Sequence, residues 1–282
     1  MGSGREFAFT DQDFARVRKL LYERAGISLS PIKKYLVYSR LSRRLRATGF
    51  TTFEAYLSRA EKDAEEMEAF TNALTTNLTS FFREEHHFPI LADHVAKFAG
   101  KRPVSLWCSA CSTGEEAYSM AMTMADLYGD FTSQVKILAT DIDTNVLEQA
   151  EKGVYPIERI EKLDPALVKR FFLRGSGKMQ GQVMVKRALR DMITFDRLNL
   201  LDDNWPMKGH FDAIFCRNVM IYFDKATQYR ILKKFVPLLQ PDGLLFAGHS
   251  ENFYQAVDLF KSLGKTVYRI SPEAMRQQER AG

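Results

Sequence analysis

Cysteine is scarce in this chain: Cys108, Cys111 and Cys216 are the three thiols in 282 residues. So few thiols, so unevenly placed, make no disulfide framework, which excludes the disulfide-stapled secreted class and fits a reducing compartment. Long apolar runs are also missing. No stretch of about 18 uncharged apolar residues occurs, the length a membrane-crossing helix needs. Nor does the chain open on the basic, apolar and small-residue succession of a secretion signal. Membrane insertion is therefore not expected, and the expected location is the cytoplasm. No internal repeat or low-complexity segment is present, which excludes repeat architectures. Excess charge is small: 40 Lys and Arg against 35 Asp and Glu leave a net charge of +5. Local basic clusters then say more about partners than the total does.

The length suffices for one large α/β domain with a smaller companion. The opening MGSGREF resembles a tag remnant, so residues 1–10 are expected to be tag or disordered. From Asp11 to about Phe98 apolar residues recur at helical spacing, as in Phe14, Val17, Leu21 and Val37, Leu41, Leu45, with turn signals at Gly26, Pro31 and Gly49. From Val104 short apolar runs (VSLWC, VKILATD, FDAIFC, LLFAGHS) alternate with helical stretches, which indicates parallel strands with crossover helices. Between about Val168 and Leu198 the rhythm breaks into short strands around a glycine-bearing turn. The expectation is a helical domain over 11–82, an α/β domain over 83–282, and an antiparallel β insertion over 168–198.

The stretch WCSACSTGEE, Trp107 to Glu116, joins the first strand to a helix through small residues, an arrangement that lets the backbone approach a nucleotide closely. It lacks the three glycines of the dinucleotide fingerprint, and Glu115 and Glu116 follow at once. Carboxylates there repel a pyrophosphate but attract an ammonium or a ribose hydroxyl, which favours S-adenosylmethionine over NAD. Asp141, at the end of TDID, is the choice for the ribose, with Asp143 and Glu115 equally readable as helix N-terminal acids. The same loop also matches the WCxxC form of a thioredoxin-like redox site. Against that reading, the dipeptide between the cysteines lacks the usual glycine and proline, and a long series of βα units follows.

Beyond FDAIFC come Arg217, Asn218 and Tyr222, on the usual ligand side of an open sheet. The Pro-Pro-aromatic motif of many nucleobase methyltransferases is absent there, and no nucleic-acid partner is expected. The polar stretch TNLTSFFREEHHF, Thr76 to Phe88, offers Asn77 and Thr79 as hydrogen-bonding groups and Arg83 as a carboxylate holder. His86 and His87 with a cysteine could suggest zinc, but adjacent histidines rarely share one ion, and no metal is expected.

Taken in order, NLTSFFRE (77–84), STGEE (112–116), TDID (140–143), FDAIFCRNVMIYFD (211–224) and LLFAGHSEN (244–252) resemble the CheR-type chemoreceptor glutamate methyltransferases over nearly the whole chain. The resemblance implies a helical N-terminal domain, a Rossmann-like S-adenosylmethionine domain and a small β subdomain inserted in it. Carried over by motif, the cofactor contacts are Asn77, Thr79, Arg83, Glu115 or Glu116 (with Glu116 preferred), Asp141, Asn199, Leu200, Arg217 and Asn218, while Arg83 and Tyr222 lie nearest the chemistry. The implied reaction is methyl transfer from S-adenosylmethionine to receptor glutamates, leaving a methyl ester and S-adenosylhomocysteine. The cysteines of the loop are the main departure, since many relatives carry alanine, and they raise oxidant sensitivity as a question. Within YLVYSRLSRRLR, Arg40, Arg43 and Arg44 gather beside the apolar face, and the resemblance makes this a docking face for acidic receptor helices. The β subdomain is expected to hold a receptor C-terminal peptide in some members. A monomer is expected. The competing classes are a methyltransferase of another substrate, nucleic acid included, and a non-catalytic S-adenosylmethionine-binding regulator.

Overall fold

The structure, a computed structural model, describes residues 6–129, 134–207 and 209–281. The chain divides into two compact units, one running to Thr76 and including Tyr222–Asp224, the other made of Asn77–Ile221 and Lys225–Gly282.

The first unit contains α1 (Asp11–Ala25), α2 (Lys34–Thr48), α3 (Phe53–Ala60) and α4 (Ala64–Leu74). Thr10 starts α1 with a reciprocal cap: its hydroxyl accepts the Asp13 N–H at 3.1 Å, and the Asp13 carboxylate accepts the Thr10 N–H at 2.9 Å. Helices α1 and α2 stop at Gly26 (φ 68°) and Gly49 (φ 78°), which supply the left-handed terminus that other residues resist. The helical spacing read from the sequence is the buried face: Val17, Leu21, Val37, Leu41 and Leu45 are all fully enclosed. The expectation for residues 1–10 is corrected where the structure describes them, while residues 1–5 lie outside the described residues. Phe9 is buried, its ring centroid 4.4 Å from that of Phe53, and Phe7 meets Phe53 edge-on. Two aromatic rings bury enough apolar area to order that segment.

The second unit begins with α5 (His87–Ala96), then runs β1 (Val104–Cys108), α6 (Glu115–Tyr128), β2 (Val135–Asp141), α7 (Thr144–Lys152), β3 (Val154–Pro156), α8 (Pro165–Phe171), β4 (Phe172–Arg174), β5 (Gln182–Val185), α9 (Arg187–Arg190), β6 (Ile193–Arg197), β7 (Phe211–Cys216), α10 (Lys225–Phe235), β8 (Leu239–Ala247), β9 (Phe260–Gly264), β10 (Val267–Ile270) and α11 (Pro272–Ala281). Its main sheet has the order β6-β2-β1-β7-β8-β10-β9. Pairing is parallel from β6 through β8 and antiparallel at β8–β10 and β10–β9. Every residue of β7 is buried, as a central parallel strand covered on both faces requires. Buried from Glu115 to Ala125, α6 is enclosed on all sides.

Three boundaries differ from the sequence reading. The helical unit ends at Thr76 rather than 82; α5 lies in the sheet unit, inside the 83–282 domain of the sequence reading, because Phe88, Leu91 and Val95 enter that unit's core. The small antiparallel sheet has the order β3-β5-β4 and so reaches back to Val154, while Val168–Phe171 is helix, started by the Asp164 cap and Pro165. ITFDR does not belong to that sheet. It is β6, parallel to β2 with Ile193 opposite Ile137 and Arg197 opposite Asp141.

Candidate functional site

The chain leaves β1 toward β2 on one side, while β7 lies on the other, so the order reverses between β1 and β7. In an open α/β sheet the crevice beyond the carboxyl ends at such a reversal is where ligands bind. The loops that meet there are 109–114 after β1, 217–221 after β7, 248–252 after β8 and the segment 77–86.

The loop after β1 is tied to its neighbours by backbone bonds. Ser109 N–H donates to the Phe215 carbonyl at 2.9 Å, and Cys111 N–H to the Thr140 carbonyl at 2.8 Å. Gly114 (φ 94°) begins α6, and a Cβ there would lie 2.8 Å from that of Ala150, so the turn requires glycine. Asp141 is buried and accepts the Ser112 N–H at 2.8 Å on one oxygen and the Asp143 N–H at 3.0 Å on the other. Burial pushes its carboxyl up to about 6 although both amides oppose the rise. Asp143 caps α7 through the Asn145 N–H (3.0 Å) and also receives the Asn77 side-chain amide at 2.7 Å, while the Asn77 carbonyl accepts the Ser112 hydroxyl at 2.9 Å. The segment 77–86 is thereby fastened to the β1 and β2 loops.

Glu115 and Glu116 are both buried, and they face different partners. Glu115 accepts the Thr113 hydroxyl at 2.6 Å and lies 3.6 Å from Arg159, whose Nη1 donates to the Thr79 carbonyl at 2.9 Å. Glu116 accepts the Cys108 thiol at 3.2 Å and pairs with Arg217 Nε at 3.2 Å. Burial raises both carboxyls above their ordinary range, against the opposing pull of Arg217 on Glu116 and of the Thr113 hydroxyl on Glu115. The Arg217 side chain is enclosed, Nη2 donating to the Arg83 carbonyl and Nη1 meeting no acceptor. Arg83 itself donates to the Leu78 carbonyl at 2.8 Å.

Asn218 (φ 57°) donates its N–H to Glu251 at 2.9 Å and its side-chain amide to Glu84 at 3.2 Å. Phe82, Glu84 and Ser112 share its left-handed backbone, with φ of 50°, 54° and 50°. Such strain persists only where the surroundings over-determine it, and it clusters at functional sites. Asn199 and Leu200 follow β6, whose continuation Leu198 donates to the Asp141 carbonyl at 3.0 Å; the Asn199 side chain accepts the Leu201 N–H at 3.0 Å. Carboxylates thus outnumber guanidinium groups around these loops: Glu84, Glu115, Glu116, Asp141, Asp143 and Glu251 against Arg83, Arg159 and Arg217. The enclosure suits a cation.

Glu84, Arg159, His249 and Glu251 were not singled out from the sequence as site residues. Three of them stand inside the quoted motifs NLTSFFRE and LLFAGHSEN, whereas no sequence pattern marks Arg159. The cysteines are free and buried, and burial pushes all three thiols well up, which disfavours the thiolate that redox chemistry needs. His87 is spent on the Lys265 carbonyl (2.9 Å) and the Thr266 hydroxyl (3.1 Å), and among the described residues no cluster of His, Cys, Asp and Glu could hold a metal ion.

Tyr222 groups with the helical unit, its carbonyl accepting the Ser28 N–H at 2.9 Å and its ring 5.6 Å from Lys33 Nζ. Of the three arginines expected to form a docking face, two have internal work. Arg40 donates to the Leu74 and Thr75 carbonyls at 3.0 and 2.5 Å, closing the end of α4, and Arg44 pairs with Glu66 through two nitrogens. Arg43 is exposed.

A family profile described as the CheR methyltransferase SAM binding domain matches residues 77–269, and one described as the CheR methyltransferase all-alpha domain matches 12–75. Chemotaxis protein methyltransferase 2 of Pseudomonas aeruginosa is 52% identical over 265 residues, covering 94% of this chain and 95% of its own. The chemotaxis protein methyltransferase of Salmonella typhimurium is 51% identical over 271 residues (95% and 93%), and that of Escherichia coli 51% over 268 (94% and 93%). With both units matched and identity sustained along the chain, the protein belongs to the CheR methyltransferase family, and its sheet unit is that family's S-adenosylmethionine-binding domain.

Proposed function

We propose that the chain transfers the methyl group of S-adenosylmethionine to glutamate carboxylates of bacterial chemoreceptors, in the cytoplasm, as part of chemotactic adaptation. The observation that carries this reading is the meeting of Glu116 and Arg217 at the reversal point of the sheet, walled by further carboxylates. Such an enclosure fits a sulfonium and an ammonium. Gly114 and the small residues of 109–113 allow close approach, and Glu115 Oε1 and Arg217 Nη1 are buried without a hydrogen-bond partner. The residues assigned to the cofactor are Asn77, Thr79, Arg83, Glu115, Glu116, Asp141, Asn199, Leu200, Arg217 and Asn218. When bound, the cofactor supplies an electrophilic methyl group.

A glutamate carboxylate is ionised at neutral pH and needs no general base. The protein's part is to align and desolvate the reactants. Arg83 orients the carboxylate, and Tyr222 donates a hydrogen bond through its phenol. Arg43 is the docking arginine, with Arg40 and Arg44 holding α2 and α4 in place. The edges of the β3-β5-β4 sheet, with Leu173 exposed on β4 and Met179 exposed in the turn after it, offer a strand-pairing site for a receptor C-terminal peptide. The protein acts as a monomer.

The test is incubation with labelled cofactor and receptor membranes, followed by alkali. Alkali-labile methanol from the receptor is expected, and Arg83→Ala and Tyr222→Phe should each lose turnover. Label on nucleic acid, or none at all with cofactor still bound, would overturn the reading.

A further inference from the structure

The walls described above suit a cationic cofactor but repel an anionic substrate. A glutamate carboxylate approaching Glu84, Glu116 and Asp141 needs a cation at the rim, and Arg83 already has a guanidinium N–H committed to the Leu78 carbonyl. The motif LLFAGHSEN supplies a further donor group. Strand β8 ends at Ala247, and Gly248 follows so close to Asn218 that a Cβ would lie 2.9 Å from the Asn218 nitrogen. Buried Glu251 accepts the Gly248 N–H at 2.5 Å and the Asn218 N–H at 2.9 Å on the same oxygen. The ends of β7 and β8 are thereby locked together.

The residue after Gly248 is His249. Its Nδ1 lies 3.0 Å from Glu84 Oε1, the oxygen that also takes the Asn218 amide. Burial alone would raise the Glu84 carboxyl, but His249, Arg217 and Asn218 together hold it below its ordinary value, so it is an ionised acceptor and Nδ1 carries a proton. A carboxylate at one ring nitrogen fixes the orientation of the other. The side chain is 68% exposed, and Nε2 meets no hydrogen-bond partner among the described residues.

We propose that His249 is a substrate-binding residue, its Nε2–H donating to the incoming receptor glutamate while Glu84 holds the ring from behind; this rests on the receptor reading above. With one carboxylate at each nitrogen, both ring nitrogens face acceptors and serve as donors. One glutamate oxygen takes the Nε2 hydrogen bond. The other attacks the methyl carbon, forming the O–CH₃ bond as the S–CH₃ bond breaks and its electron pair stays on sulfur; no proton moves. The ester carries no charge, so the charge-assisted hydrogen bond with His249 weakens on methylation and the product leaves. The contact thus selects an anionic side chain and acts on substrate affinity.

The experiment compares His249→Asn with His249→Gln in the full-length protein. Asparagine keeps a donor at the Nδ1 position for Glu84 but removes Nε2, whereas glutamine places an N–H near the Nε2 position. For His249→Asn the expected result is a receptor KM raised about tenfold, kcat within about twofold, and S-adenosylhomocysteine affinity by calorimetry equal to wild type; His249→Gln should recover part of the KM. An unchanged receptor KM in His249→Asn, or a parallel loss of S-adenosylhomocysteine affinity that betrays a structural role, overturns the proposal alone. Absence of receptor methyl ester with the wild-type protein overturns the receptor reading, and this proposal with it.

Discussion

Replacing Glu116 by glutamine leaves the Arg217 guanidinium buried without its counter-charge. The Nε to Oε2 separation is 3.2 Å, and at an effective dielectric constant of about 20 the attraction is about 5 kcal/mol. Part of that is returned, because burial penalises the Glu116 charge and raises its carboxyl on balance. The Phe88 and Phe215 rings, with centroids 5.9 and 5.7 Å from the guanidinium carbon, soften the loss further. The expected net cost is about 3 kcal/mol, in the range found for breaking one side of a buried pair. Urea unfolding without cofactor, followed by tryptophan fluorescence, measures it cleanly, since the two tryptophans, Trp107 and Trp205, both lie in the sheet unit. Adding Arg217→Met to Glu116→Gln removes the stranded charge and should restore more than half of the lost stability. A single variant within about 0.5 kcal/mol of wild type, or a double variant whose loss is the sum of the two single losses, would refute the reasoning.

Further outcomes follow from the same geometry. Gly114→Ala combines φ of 94° with a Cβ clash at Ala150, and should cost about 2 kcal/mol of stability and abolish S-adenosylhomocysteine binding in calorimetry. His87 is buried and its imidazole is pushed down to about 4, chiefly by burial, so the unfolded chain binds more protons than the folded one between about pH 4 and 6.5. Stability is therefore present above the unfolded value and lost as pH falls through that window, by up to about 3 kcal/mol; His87→Phe should flatten this slope in urea melts from pH 7 to 4. Asp141, raised to about 6, works in the opposite sense, giving stability below pH 4 that fades as pH rises to 6. Arg44→Ala should lower the stability of the helical unit by about 1–2 kcal/mol by stranding Glu66, whereas Arg43→Glu should leave stability unchanged and weaken receptor methylation, as read by thermal melts and methanol release.

The strands VSLWC, VKILATD and FDAIFC and the stripe Val37, Leu41, Leu45 were legible because burial imposes its period directly on the sequence: continuous apolar runs for strands covered on both faces, and every third or fourth residue for a helix covered on one. The loop after β1 was legible for a similar local reason, since small residues followed by acids already limit what can approach. Pairing was not legible. ITFDR has the alternation of a half-buried strand whichever sheet it joins, and it became the edge of the main sheet because Ile193 finds Ile137 across β2, a partner far away along the chain.

By itself the sequence determined the class of fold, the family and the set of motifs that carry the site, because these depend on residue type and local order. Only the tertiary structure decided how the charges are spent. Arg40 and Arg44 look like Arg43 in a row of basic residues, yet they are committed to helix-end carbonyls and to Glu66. Glu115 and Glu116 look alike, yet one faces Arg159 and the other Arg217. A charge acts through its nearest partner over a few ångströms, and that partner is chosen by the packing of distant segments, which no local pattern records.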